Sequence, residues 1–469
     1  MADSDPSSRP AFLWLPRRIL SELGLITLFH SPRDVKVLCL QRFVRLFAYG
    51  SSTLILVPFL ESLGHSRMQS GLFMTLTLVG DVLISFLLAL IADSIGRRSI
   101  LALGATLMAL SGLVFACASN YWVLLAAAVL GVISPNGNEI GPFRAVEESG
   151  VAHLTTKEQR GDVYAWYSLL GNAGTAFGMM TWGWAIHGIR NGLGWTPVQA
   201  YRATFVGYAI LGVVKLLLAM SLSRAVEPAK KAASAEATTE ETTPLLAGEP
   251  NPASQTQPKP KKWTNLLPEI SPESRVITAT LCLLFALDSF ASGLVPLSWV
   301  SFYFRSRFGV EEGKLGSIFF ITSIISAATV LVASSLAKRF GNINTMVFTH
   351  LPSSILLSLI PLPSSLSLSL LFLILRACTQ SMDVAPRSAF LAAVLLPNER
   401  TAVMGAVNVV KITAQSMGPF ITGVLASHSM FWMSFVIAGS LKACYDMGLL
   451  VIFKHHEQQD REARPDDEA

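Results

Sequence analysis

Apolar residues run in blocks of about twenty, separated by short polar or charged turns, from residue 35 to residue 453. Such a block matches the roughly 20 residues that a helix needs to cross a hydrocarbon core, and it lacks the polar stripe of a helix that faces water. The pattern predicts helices near 35–60, 69–92, 99–118, 121–142, 162–187 and 203–222. A second set is predicted near 276–303, 314–337, 343–362, 365–390, 401–425 and 430–453. The expectation is an all-α membrane protein of about 12 transmembrane helices, arranged as a 35–222 bundle and a 276–453 bundle of six each.

The intervening stretch 223–275 is rich in Ala, Thr, Pro, Glu and Lys and poor in aromatics, which predicts a disordered link. Residues 1–34 and 454–469 read as polar tails, the first containing a possible interfacial helix from Phe12 to Phe29. Basic residues gather in alternate loops: Arg97 and Arg98, Lys157 and Arg160, then Arg224, Lys230, Lys231, Lys259, Lys261 and Lys262. The positive-inside rule puts these loops, and with an even span count both termini, in the cytosol. The plasma membrane is the expected location. Glu241-Thr-Thr-Pro-Leu245-Leu246 has the form of an acidic dileucine signal and leaves a vacuolar membrane as the alternative.

Composition supports a lipid-embedded chain, with 51% hydrophobic and only 14% charged residues against about 25% charged in soluble domains. A net charge of +5 scattered over short loops gives no nucleic-acid footprint. The five cysteines form no CxxC pair, and no His-Glu-x-x-His or Gly-x-x-x-x-Gly-Lys-(Ser/Thr) motif occurs, so no metal, cofactor or nucleotide-driven enzyme is expected.

The halves repeat one another. Phe47-Ala-Tyr-Gly50 matches Phe290-Ala-Ser-Gly293, and the turn at Gly96 matches that at Gly341. Asn138-Glu-Ile-Gly-Pro-Phe-Arg144 matches Met382-Asp-Val-Ala-Pro-Arg387, setting Glu139 against Asp383 and Pro142 against Pro386. Three matches in one order favour duplication of a six-helix unit, the architecture in which a substrate site lies between the halves.

These features resemble the major facilitator superfamily over nearly the whole chain outside the tails and central link. The loop after the second span carries that family's Asp-x-x-Gly-x-(Arg/Lys) core as Asp93, Gly96, Arg97 and Arg98, with Ala89 where a first Gly is usual and Ser94 in place of a basic residue. The resemblance implies that Asp93 latches the cytosolic side, engaging the start of span eleven after Pro397-Asn-Glu-Arg400 and a basic residue from span four, Arg144. The plainer alternative is that Asp93 caps span three. The drug-antiporter signature of span five is incomplete, because Met179 follows Gly174-Thr-Ala-Phe-Gly178 where that signature has Pro.

Ionisable residues inside spans are functional candidates because lipid gives them no partner. Arg42, Arg45, Asp81, Glu139, Asp288, Arg376, Asp383, Arg387, Lys411 and Asp446 qualify. Glu139, Asp383 and Asp81 are the proton-coupling candidates, and a structural clasp of the first two to Arg144 and Arg387 is the alternative. Arg45, Asp288, Arg376, Arg387 and Lys411 are the central-cavity candidates. Arg45 and Asp288 are repeat equivalents, so they pair either across the cavity or each within its own bundle. Trp182, Trp184, Trp299 and Tyr303 read as an interfacial aromatic belt.

The function expected is a secondary active transporter, a monomer in the bilayer that takes a small-molecule substrate and protons. Proton-coupled export of a metabolite or drug by alternating access leads. Nutrient uptake, facilitated diffusion and a non-transporting sensor of the same fold are the alternatives.

Overall fold

The computed structural model describes residues 25–131, 133, 142–227, 272–396 and 399–462. The N-terminal helices are α1 (Leu25–His30), α2 (Arg33–Ser62), α3 (Arg67–Ile95), α4 (Arg97–Cys117), α5 (Tyr121–Leu130), α6 (Pro142–Leu154), α7 (Lys157–Leu193) and α8 (Pro197–Met220). The C-terminal helices are α9 (Pro272–Leu294), α10 (Leu297–Phe308), α11 (Glu312–Phe340), α12 (Asn342–Leu359), α13 (Leu366–Ala377), α14 (Val384–Val394), α15 (Arg400–Ser427) and α16 (Phe431–Glu462). Among the described residues, eight helical stretches are long and apolar enough to cross a membrane.

Three of the predicted spans are interrupted. The span expected at 276–303 divides into α9 and α10 at Val295-Pro296, since a proline has no N–H to continue the helix. The span expected at 365–390 is broken by turns from Cys378 to Asp383, between α13 and α14. Span four, expected to end at 142, instead comprises α5 and, beyond residues outside the description, α6, which runs on to Leu154. Broken helices at membrane depth are tolerated where the freed backbone is buried in protein or lines a cavity.

The repeated sequence elements do the same structural work in both halves. Gly50 of α2 faces α7, where a β-carbon would overlap the Thr175 carbonyl oxygen, and Gly293 of α9 faces α15, where it would overlap that of Gln415. The shared glycine therefore permits backbone contact between the first and fifth spans of each bundle. Gly96 and Gly341 both start a helix with φ near +90°, at 91° and 88°, a region that disfavours residues with a β-carbon.

Helix ends at residues 95–97, 154–157, 220–224 and 340–342 mark what we term the basic end; those near 62–67, 193–197, 308–312 and 427–431 mark the far end. The two bundles pack through α7 against α11 and through α3 against α15. Inter-bundle hydrogen bonds among the described residues fall toward the far end. Phe420 N donates to Thr75 Oγ1 at 3.1 Å, Trp184 Nε1 to Ser317 Oγ at 2.9 Å, and Arg67 Nη1 to the Ala426 carbonyl at 3.4 Å. The outer surface carries exposed apolar side chains such as Ile210, Leu217 and Val451, the inverse of a soluble protein, while the interior holds buried charge.

Candidate functional site

In the N-terminal bundle, Glu147 of α6 meets side chains from three other helices. Arg45 Nη2 lies 2.5 Å from Oε2, the Tyr167 hydroxyl donates to the same oxygen at 2.6 Å, and Lys215 Nζ stands 3.8 Å from Oε1. Arg45, Glu147 and Lys215 are at most 1% exposed, so each charge depends on the others to offset its lost hydration. Arg42 lies over the Tyr167 ring, 4.5 Å from its centroid.

The C-terminal bundle builds its counterpart around Asp288 of α9. Lys442 Nζ donates to Oδ1 at 2.6 Å and Arg387 Nη1 to Oδ2 at 3.3 Å, while His350 Nε2 is 4.0 Å from Oδ1. Arg387 also grips Asp383, one turn earlier. His350 Nδ1 bonds Asp446 at 2.9 Å, and Ser354 donates to that carboxylate at 3.2 Å. In both bundles the first, fourth and sixth spans contribute charges and the sixth supplies a lysine, while Tyr167 of the fifth span joins one network and His350 of the third span the other.

Arg45 and Asp288 therefore do not pair across the cavity; each is held inside its own bundle, because a nearer partner is available there. Asp383 is clasped by Arg387, the alternative to a free coupling carboxyl. Arg144 donates to Glu148 at 2.7 Å on an exposed helix face. Glu139 and the side chain of Asp93 lie outside the described residues, as do Pro397, Asn398 and the dileucine stretch. Asp81 is buried in the middle of α3. Trp299 and Tyr303 do not form an interfacial belt. They are buried, with Tyr303 packed on Phe431 and Phe435 and Trp299 on Phe431, because α10 tucks inward after Pro296.

Glu147, Lys215, His350 and Lys442 are absent from the sequence candidates. The last three each interrupt an apolar run and were legible on that ground. Glu147 was not, since it follows the expected end of span four.

Two further clusters sit at the ends. At the far end, buried Glu312 of α11 meets Arg190 of α7 at 3.2 Å, accepts from the Tyr201 hydroxyl of α8 at 2.7 Å, and pairs with Arg305 of α10. Four helices from both bundles are thus joined through one carboxylate. At the basic end, the Glu227 carboxylate accepts from the backbone N–H of Arg97 at 2.7 Å and of Arg98 at 3.0 Å, capping α4. Arg97 and Arg98 fold back on their own bundle, donating to the carbonyls of Val226 and Met220.

Comparison with known proteins places this architecture. The family model described as Major Facilitator Superfamily matches residues 38–382 and 281–468. An uncharacterized membrane protein of Saccharomyces cerevisiae is 36% identical over 426 residues, covering 90% of this chain and 94% of its own. Among solved structures, the nucleoside transporter NupG superposes with a TM-score of 0.65 at 13% identity, covering 90% of this chain and 100% of its own. The xylose transporter XylE from E. coli, in a partially occluded inward-open conformation, gives 0.61 at 12% identity over 89% of this chain and 99% of its own. These distant structures share the fold, and the sequence match settles the rest: the chain is an integral, multi-pass membrane protein that belongs to the major facilitator superfamily.

Proposed function

We propose that this chain is a secondary active transporter that moves a small organic solute by rocking its two bundles about the buried charge networks. The observation that carries the reading is the matched pair of networks, Arg45–Glu147–Lys215 and Asp288–Arg387–Lys442, buried among the helices of the two halves. Charge there is expensive and persists where a pathway uses it. With the far end held by Glu312, access to the site is from the basic end, which the loop charges assign to the cytosol with both termini. Outward opening requires the Glu312 cluster to part and the basic end to close around Asp93, Gly96, Arg97, Arg98 and Arg144.

Proton coupling and export from the cytosol across the plasma membrane complete the reading. The C-terminal network is the better coupling site, because it brings three carboxylates and an imidazole together, and protonating any one of them re-sorts the pairs. Glu139 and Asp81 remain its N-terminal candidates. The relatives are named as nucleoside and xylose transporters, which supports a small polar organic cargo.

Flux into proteoliposomes, with and without an imposed pH gradient, tests this on wild type and Asp383→Asn. Gradient-driven movement that the variant loses is the expected result. Movement that ignores the gradient in both proteins makes the chain a facilitator and leaves Asp383 as the structural clasp of Arg387.

A further inference from the structure

The C-terminal network pairs its charges unevenly, and the surplus has an address. Arg387 and Lys442 each bond a carboxylate, as does His350. Arg376 of α13 and Lys411 of α15 do not: among the described residues no carboxylate lies within ion-pair distance of either. Arg376 Nε is buried and has no hydrogen-bond partner. Lys411 Nζ instead stands 5.5 Å from the centroid of the Phe285 ring, which it shares with Arg387 at 5.5 Å.

Both cations sit well inside the length of their helices. Arg376 lies ten residues into α13, which began at Leu366, and Lys411 eleven residues into α15, which began at Arg400. At 1.5 Å per residue that is about 15 Å from opposite ends, half of a hydrocarbon core of roughly 30 Å. Neither points into lipid. The exposed face of α13 carries Leu368, Leu371 and Leu375, whereas Arg376 aligns with buried Ser369 and Leu373 at helical spacing. Lys411 likewise aligns with buried Val407 and Gly418, toward α9.

Two inward-facing cations with no carboxylate at ion-pair distance among the described residues, beside Arg387, Lys442 and His350 that each have one, offer charge to an anion that arrives from outside the chain. A guanidinium fork matches a carboxylate or phosphate in two parallel hydrogen bonds, and an ammonium adds a point charge. We propose that the solute is an organic anion bearing a carboxylate or phosphate group, and that Arg376 and Lys411 receive it. Arg387, already neutralised by Asp383 and Asp288, orients the site without binding charge of its own. This inference rests on the transporter reading above.

The test presents wild-type proteoliposomes with a yeast metabolite extract split by ion exchange at pH 7 into anionic, cationic and neutral pools, and reads luminal solutes by mass spectrometry. Accumulation from the anionic pool is expected, falling about tenfold or more in Arg376→Gln and in Lys411→Gln, the loss of one charge-assisted contact. Lys411→Arg keeps the charge and restores flux. Accumulation only from the cationic or neutral pools overturns the anion assignment and leaves the transporter reading intact, as does anion flux unchanged in both Gln variants. No movement from any pool overturns the transporter reading and the assignment with it. The comparison of pools uses wild type alone, so a variant that fails to fold does not remove the test.

Discussion

Glu147 carries an unusual load for one side chain, since a single carboxylate offsets the burial of both Arg45 and Lys215 and also accepts from Tyr167. Replacing it with Gln keeps the shape and removes the charge. Breaking a buried ion pair by deleting one partner costs about 3–5 kcal/mol, because the surviving charge stays buried. Glu147→Gln should therefore unfold in detergent at markedly lower temperature than wild type, and Glu147→Asp should recover part of the loss. A melt within error of wild type would mean that Arg45 and Lys215 find other partners and that this network is not structural. The same residue marks a limit of sequence reading. Arg45 was legible as a charge in an apolar run, but its partner lay past a helix break that hydropathy cannot see. Lys442 and His350 were visible in the same way as Arg45, yet their pairing with Asp288 and Asp446 depends on which spans touch.

The elements were easier to read than their interruptions. Gly96 and Gly341 could be matched from the repeat, and the structure gives both the same positive φ at the start of a helix. What the sequence could not indicate is the cap on that helix, because Glu227 is 130 residues from the Arg97 N–H it accepts. A carboxylate on the first N–H groups of α4 satisfies donors that have no partner within the helix and complements the helix dipole. Removing it by Glu227→Ala is expected to destabilise the N-terminal bundle by about 1 kcal/mol, within the usual range for a lost cap. Hydrogen exchange should reveal the change locally, as faster exchange of amides 97–100 with α7 and α15 unaffected. Unchanged protection there would show that the turn is held by its own backbone and by the Arg97 and Arg98 contacts to Val226 and Met220. The breaks at Val295-Pro296 and Cys378–Asp383 teach the opposite lesson, since average hydropathy runs straight through them.

For the molecule as a whole, the question is which end opens, and one buried carboxylate at the far end weighs on the answer. Glu312 is 4% exposed and holds Arg190 from the N-terminal bundle beside Arg305 from its own. Without its charge two guanidinium groups face each other across the seam, so an attraction between the bundles becomes a repulsion. Hydrogen bonds to charged groups contribute roughly 1.5–3 kcal/mol, enough to shift a two-state equilibrium about tenfold or more toward the state in which the far end is apart. Spin labels at Ser66 and His428, exposed positions beyond either side of the α3 and α15 contact, would report that change as an interspin distance in a background lacking the native cysteines. Glu312→Gln should lengthen the distance relative to wild type, and Glu312→Asp should shift it less. Other far-end contacts between the bundles, Phe420 to Thr75, Trp184 to Ser317, Arg67 to the Ala426 carbonyl and His187 to Glu311, are expected to slow the separation without preventing it. A distribution identical to wild type would mean that glycine-mediated backbone packing, Gly71 against Gly423 and Gly316 against Met179, closes this end without the ion cluster. The gate would then be a matter of shape, and transport should tolerate the loss of Glu312 while failing when either glycine is enlarged.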